Sequence, residues 1–121
     1  MRIIVVDRDP DLLELITTLL ELDGHRVSTA RDGVAAQRLA AELQPDVVLT
    51  EIRLPELDGV ELARRIREQP GGADIQLVAH TTHLPAAVPM DAKSGGFDVH
   101  LRKPASAELL RRTVRELGRK R

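Results

Sequence analysis

The feature that most limits the folds open to this chain is its opening, the β-branched run Ile3-Ile4-Val5-Val6 that stops abruptly at Asp7-Arg8-Asp9-Pro10. An apolar run without alternation suits a central strand buried on both faces, and the sudden polar end marks where the strand leaves the core. Asp9 and Pro10 are suited to the N-cap and first position of a helix. Leu12, Ile16 and Leu19 then recur at i, i+4 and i+7, with Leu13 and Leu20 beside them, until Gly24. The pattern predicts a helix over about 10–23.

The same unit repeats along the chain. Residues 25–29 alternate weakly and suit an edge strand; Asp32-Gly33 then opens a helix with Ala36, Leu39, Ala40 and Leu43 on one face, closed by Pro45. Residues 46–51 are an apolar strand ending in Glu51, and the loop 52–59 leads to a helix carrying Leu62, Ala63 and Ile66. Pro70-Gly71-Gly72 forms a loop, 75–79 a strand, and 85–94 a short Ala-rich helix interrupted by Pro89. A fifth strand over 97–101 ends in Arg102-Lys103-Pro104, and Ser106 caps a last helix with Leu110, Thr113, Val114 and Leu117 inward. Five βα units occupy residues 1–121 as a single expected domain, in the α/β class, with a parallel sheet and helices on both faces.

Composition removes several functional classes. The 121 residues carry 18 Lys plus Arg against 19 Asp plus Glu, with one Phe and no Trp, Tyr or Cys. A net charge of -1 gives no broad field for nucleic acid or anionic lipid, and the lack of aromatics removes stacking platforms for single strands. The core must be aliphatic. Without Cys there is no disulfide framework or thiolate metal site, and nothing calls for an oxidising compartment. No apolar run approaches the about 20 residues of a membrane span, so a cytoplasmic protein with no membrane contact is expected. His25, His80, His83 and His100 lack i, i+4 spacing, so no metal site is expected. The Arg-rich end, Arg111 to Arg121, reads as a solvated helix face and tail or as a basic contact surface.

In open parallel sheets, ligands bind outside the carboxyl ends of the strands. Asp7, Glu51, Thr81 and Lys103 stand at those ends on strands one, three, four and five. With them come Val5-Val6-Asp7 before Asp9-Pro10, the block from Pro45 through Leu54-Pro55-Glu56-Leu57-Asp58-Gly59, and Lys103-Pro104. On these residues the chain resembles, over about its whole length, the CheY-like receiver domain of two-component response regulators. The resemblance implies a flavodoxin-like doubly wound (βα)5 sandwich of three layers, with strand order 2-1-3-4-5. It also implies a signalling module and no enzyme. In that family two consecutive acidic residues after strand one and an Asp after strand three bind Mg²⁺, and that Asp accepts a phosphoryl group from a histidine kinase or small phosphodonor.

This chain departs from the pattern twice. The second acidic position is Arg8, and the phosphoacceptor-equivalent is Glu51. A guanidinium offers only donors and a fixed positive charge, whereas Mg²⁺ needs oxygen ligands near octahedral geometry, so Mg²⁺ binding is expected to be weak or absent, with no other cofactor. The extra methylene of Glu51 misplaces an oxygen for in-line attack, in a reaction whose rate comes from positioning and electrostatics. The acidic pocket is then Asp7 with Arg8, expected within ion-pair reach of Asp7 or Glu51 in place of the metal's charge. Thr81, His100, Lys103 and Pro104 match the family's switch positions, with a cis peptide implied between Lys103 and Pro104. His100 alone also reads as half-exposed surface, and Asp58 as a helix cap.

The reading that follows is an atypical receiver, or pseudo-receiver, whose output is largely independent of Asp phosphorylation. The alternative keeps residual Mg²⁺-dependent phosphoryl acceptance at Asp7 and Glu51. Partners are expected to be proteins, a sensor histidine kinase or an output domain, met through the region from Pro85 to Gly118. No direct nucleic-acid contact is expected, and the chain should be a monomer or weak dimer. A nucleotide or flavin binder is disfavoured because no Gly-rich phosphate loop follows strand one. Because a charge-assisted Arg contact outweighs a neutral hydroxyl contact, Arg8 should hold Glu51, leaving Thr81 turned away and His100 at least partly exposed. A Thr81 hydroxyl bonded to Glu51 with His100 buried would instead mark a constitutively switched-on module.

Overall fold

In the computed structural model the described residues are 1–82 and 96–119. They form β1 (Arg2–Val6), α1 (Pro10–Leu22), β2 (Arg26–Ala30), α2 (Gly33–Leu43), β3 (Val47–Thr50), α3 (Gly59–Glu68), a 3-10 turn (Gly72–Asp74), β4 (Gln76–Thr81), β5 (Val99–Arg102) and α4 (Ala107–Arg119). All five strands are parallel, in the order β2-β1-β3-β4-β5. The Ala-rich helix expected over 85–94, His83, and the part of the expected partner surface over 85–95 lie outside the described residues.

Period-two alternation makes the three layers. On β1, Ile3 and Val5 face α1 and α4, where Leu13, Ile16, Leu20, Leu110, Val114 and Leu117 meet them. Ile4 and Val6 face α2 and α3, with Ala36, Ala40, Leu62, Ala63, Ile66 and the lone Phe97. The buried face of α1 is rotated from the expected one. Leu13, Ile16 and Leu20 are buried, whereas Leu12 and Leu19 are only partly so. Leucines doubled at 12–13 and 19–20 satisfy a helical stripe in either setting, and packing against the sheet decides between them. Thr113 is likewise half-buried beside the buried Val114.

Caps begin the helices where the sequence places them. The Asp9 side chain accepts from the N–H groups of Asp11 and Leu12, Asp32 from Ala35, Asp58 from Glu61 and Ser106 from Leu109. The fourth and fifth strands lie slightly later in the chain than expected, so that Thr81 is the last residue of β4 and Phe97 precedes β5. Arg67, at the end of α3, donates to the carbonyls of Gly72 at 3.0 Å and Gly96 at 2.9 Å and to the Asp98 carboxylate at 2.8 Å. Asp98 accepts from Leu77 N–H in turn. One guanidinium thereby joins α3, the 3-10 turn and the approach to β5.

Register sets the level of the site. Val6 pairs with Ala30 on one side and Thr50 on the other, Thr50 with Ala79, and Thr81 with Arg102. The next residues, Asp7, Arg31 and Glu51, therefore emerge together at the carboxyl edge, with Thr81 and Lys103 beside them.

Candidate functional site

Three charged side chains from three strand ends meet at that edge. Lys103 Nζ lies 2.6 Å from Asp7 Oδ2 and 2.6 Å from Glu51 Oε2. The remaining carboxylate oxygens take backbone donors: Asp7 Oδ1 accepts from Asp9 N–H at 3.0 Å, and Glu51 Oε1 from Ile52 N–H at 2.8 Å and Arg53 N–H at 3.3 Å. The Thr81 side chain stands close enough to the Glu51 carboxylate to favour its charged form. Asp7, Glu51 and Thr81 are all buried.

Local sequence explains how the two carboxylates come to face one ammonium. After β3 the chain folds back so that Gly59 N–H reaches the carbonyl of Ile52 at 2.7 Å. A Cβ on Gly59 would sit 2.5 Å from the Glu51 carbonyl oxygen, which is the physical need for glycine there. The Lys103-Pro104 peptide is cis, in the turn that carries the lysine off β5.

The charges balance through burial and contact. Burial pushes the Glu51 carboxyl up, but Lys103, the Thr81 hydroxyl and Arg53 N–H together outweigh it and hold it below its ordinary value. Burial likewise opposes the charge on Lys103, and the bonds to Asp7 and Glu51 override it and raise its pKa.

Two expectations are corrected. Arg8 does not join the pocket: it is exposed and makes no ion pair among the described residues. Lys103 takes the compensating position instead, because its flexible four-carbon stem can bring a point charge between both carboxylates. With Arg8 absent from the cluster, nothing draws Glu51 away from Thr81. The expected arrangement with Thr81 turned away and His100 partly exposed is therefore not found. His100 is 5% exposed, and its ring meets Phe97 edge to face at 5.6 Å.

His80 was missed from sequence. It is 3% exposed and Nε2 has no hydrogen-bond partner. Burial pulls its pKa down and the nearby Lys103 adds to this, against weaker opposing pulls from Asp7 and Glu51. Period two could have placed it, since His80 lies two residues beyond the buried Val78 on the α1 and α4 face of β4.

The donor set does not fit a bound Mg²⁺. A divalent cation of this kind needs carboxylate oxygens facing outward for near-octahedral coordination. Here Oδ2 and Oε2 hold a lysine cation, the other two oxygens hold backbone N–H groups, and Arg8, next to Asp7, offers no oxygen ligand. Among the described residues no group of three or more His, Cys, Asp or Glu could hold a metal.

The family profile of the response regulator receiver domain matches residues 3–115. The chain belongs to that family. The DNA-binding dual master transcriptional regulator RpaA of Synechocystis is 34% identical over 119 residues, covering 98% of this chain and 49% of the relative. The response regulator MprA of a Mycobacterium species is 33% identical over 120 residues, covering 99% and 51%. The receiver chain thus spans about half the length of these curated relatives. Among solved structures, the receiver domain of a sensor histidine kinase from Pseudomonas aeruginosa is 30% identical with a TM-score of 0.86, covering 97% of each chain, and is described with a magnesium ion coordinated in its active site cleft. A receiver domain protein from Clostridium thermocellum is also 30% identical at TM-score 0.86, covering 98% of this chain and 95% of that one. The fold is the flavodoxin-like α/β sheet of two-component receivers. Among the described residues no helix is long and apolar enough to cross a membrane.

Proposed function

We propose that this receiver acts in two-component signalling as a protein-interaction module whose output is largely independent of Asp phosphorylation, with Glu51 holding the switch residues in a constitutively engaged arrangement. The observation that carries the reading is the contact of Lys103 Nζ with Asp7 and Glu51 at 2.6 Å each. Glu51 stands at the phosphoacceptor-equivalent position, and its carboxylate already pairs with Lys103 and is favoured in its charged form by Thr81, the two residues that resemble the family's phosphoryl-sensing pair. A fixed carboxylate supplies charge -1 where a phosphoryl group supplies about -1.5 to -2, so the imitation is partial. The buried His100 supports the same reading.

The relative from Pseudomonas is described with magnesium; in this chain the lysine cation stands against both carboxylates and Arg8 replaces an acidic neighbour, which supports a Mg²⁺-independent site. Partners in this reading are a histidine kinase or an output domain. Adding Mg²⁺ with acetyl phosphate or beryllofluoride should leave the amide signals of Thr81 and His100 unmoved, whereas Glu51→Gln should shift both. Large, saturable shifts with beryllofluoride in the parent would support the rival, Mg²⁺-dependent acceptance at Asp7 and Glu51, and would end the proposal.

A further inference from the structure

Arg8 and Arg31 follow the carboxyl ends of the neighbouring strands β1 and β2, two residues beyond Val6 and one beyond its partner Ala30. Both are exposed, and neither makes an ion pair among the described residues. Together with Asp32 and Pro55 they line a cleft of about 530 Å³. This cleft lies at the carboxyl edge of the sheet on its β1–β2 side, next to the β1/β3 switch point that the Asp7, Glu51 and Lys103 cluster fills.

The carboxylates nearest in the chain bond other partners and make no ion pair with either arginine. Asp7 is held by Lys103 and by Asp9 N–H. Asp9 caps α1 through Asp11 and Leu12 N–H, and Asp32 Oδ1 accepts a 2.7 Å bond from Ala35 N–H at the start of α2. Lys103 performs the compensation inside the pocket, so Arg8 is left without a structural duty. Two guanidinium groups in one concavity offer planar donor forks that match phosphate oxygens bidentately. Pro55 adds an apolar wall.

We infer that the Arg8–Arg31 cleft is an anion site for a small phosphate-bearing ligand, inorganic phosphate or a phosphomonoester, held without covalent bonding. The site is separate from the Lys103 cluster, and its existence does not depend on how Glu51 acts. Asp32 sets a limit on charge density, so the site prefers a single phosphate to a polyphosphate chain.

The test is an amide-shift titration of the described protein with inorganic phosphate and, separately, with adenosine monophosphate, at ionic strength fixed with chloride. Saturable shifts centred on Arg8, Arg31 and Asp32, with a Kd at or below roughly 1 mM, are expected. Arg8→Gln and Arg31→Gln should each weaken binding about tenfold, with the strand amides unchanged because both side chains are exposed. Tighter binding of the monophosphate would assign the site to a phosphomonoester, and equal binding to inorganic phosphate. Shifts that grow linearly without saturating, shifts centred on Thr81 and Lys103, or undiminished binding in both variants would each overturn the inference.

Discussion

Two ion networks in this molecule use the same chemistry in different surroundings. On the outer face of α3, Arg64 pairs with Glu61 and with Glu68, and Arg65 pairs with Glu61. At the carboxyl edge of the sheet, Lys103 pairs with Asp7 and Glu51. The α3 network is solvated and joins residues three and four apart on one helix, so water and salt can replace every contact in it. The edge network joins the ends of β1, β3 and β5, and its members are largely withdrawn from water. Losing one member there leaves charge that nothing else can screen. Contact distance therefore says little about what an ion pair does for the fold, and burial says most of it.

The strongest way to break this comparison is Lys103→Met, which leaves two carboxylates at the edge without a cation. A loss of about 3 kcal/mol is expected, read as a fall of roughly 10 °C in Tm for a domain of this size. The variant should regain part of that loss in mild acid, as one of the crowded carboxyls takes a proton.

The next test bears on the proposed phosphoacceptor-equivalent role of Glu51. Arg8→Asp with Glu51→Asp should give Mg²⁺ binding in the millimolar range and phosphorylation by a small phosphodonor, with either change alone giving less. Mass measurement after acetyl phosphate treatment reads this directly, and an inert double variant would count against the assignment of Glu51 as the phosphoacceptor-equivalent.

Acid sharpens the contrast at lower amplitude. The pKa of His80 is lowered from 6.5 in the folded chain, so the unfolded chain takes up its proton first and stability falls as pH drops below about 6.5. Glu51 is lowered from 4.5, so its contribution is complete above that value and is lost as pH falls through the folded pKa. Lys103 is raised from 10.5, so its contribution persists below that value and is lost in strong base. Denaturant midpoints measured between pH 7 and 5 should slope less in His80→Leu than in the parent; an unchanged slope would remove His80 from this account, leaving His25 and His100, whose pKa values are also lowered by burial. The smallest expected effect is that of Arg64→Ala, whose Tm should be indistinguishable from the parent's.

The elements of the fold were legible because each has a local signal: the β-branched run of β1, the Asp9-Pro10 start of α1, and Asp58-Gly59 at the start of α3. The strand ends that gather the cluster were legible for the same reason, since an apolar run that stops at Asp7 or Glu51 shows where the sheet's edge lies. What the sequence hid was which cation compensates them. Arg8 is next to Asp7 in the chain, but neighbours in a segment leaving a strand diverge, while Lys103 reaches Asp7 from a residue 96 positions away. His100 was hidden by its place on β5, an edge of the sheet where sequence alone predicts exposure; its burial depends on tertiary packing that includes Phe97.

That 96-residue separation also orders events during synthesis. Asp7 and Glu51 leave the ribosome well before Lys103, so β1 and β3 can be made and even paired while their terminal carboxylates still have no cation between them. Until β5 arrives, bringing the two strand ends together sets like charges against each other, and only a chain that has reached Lys103 removes the repulsion. The edge of the sheet is therefore built last, and a nascent chain halted before β5 should hold its first three strands in a looser association than the finished domain does.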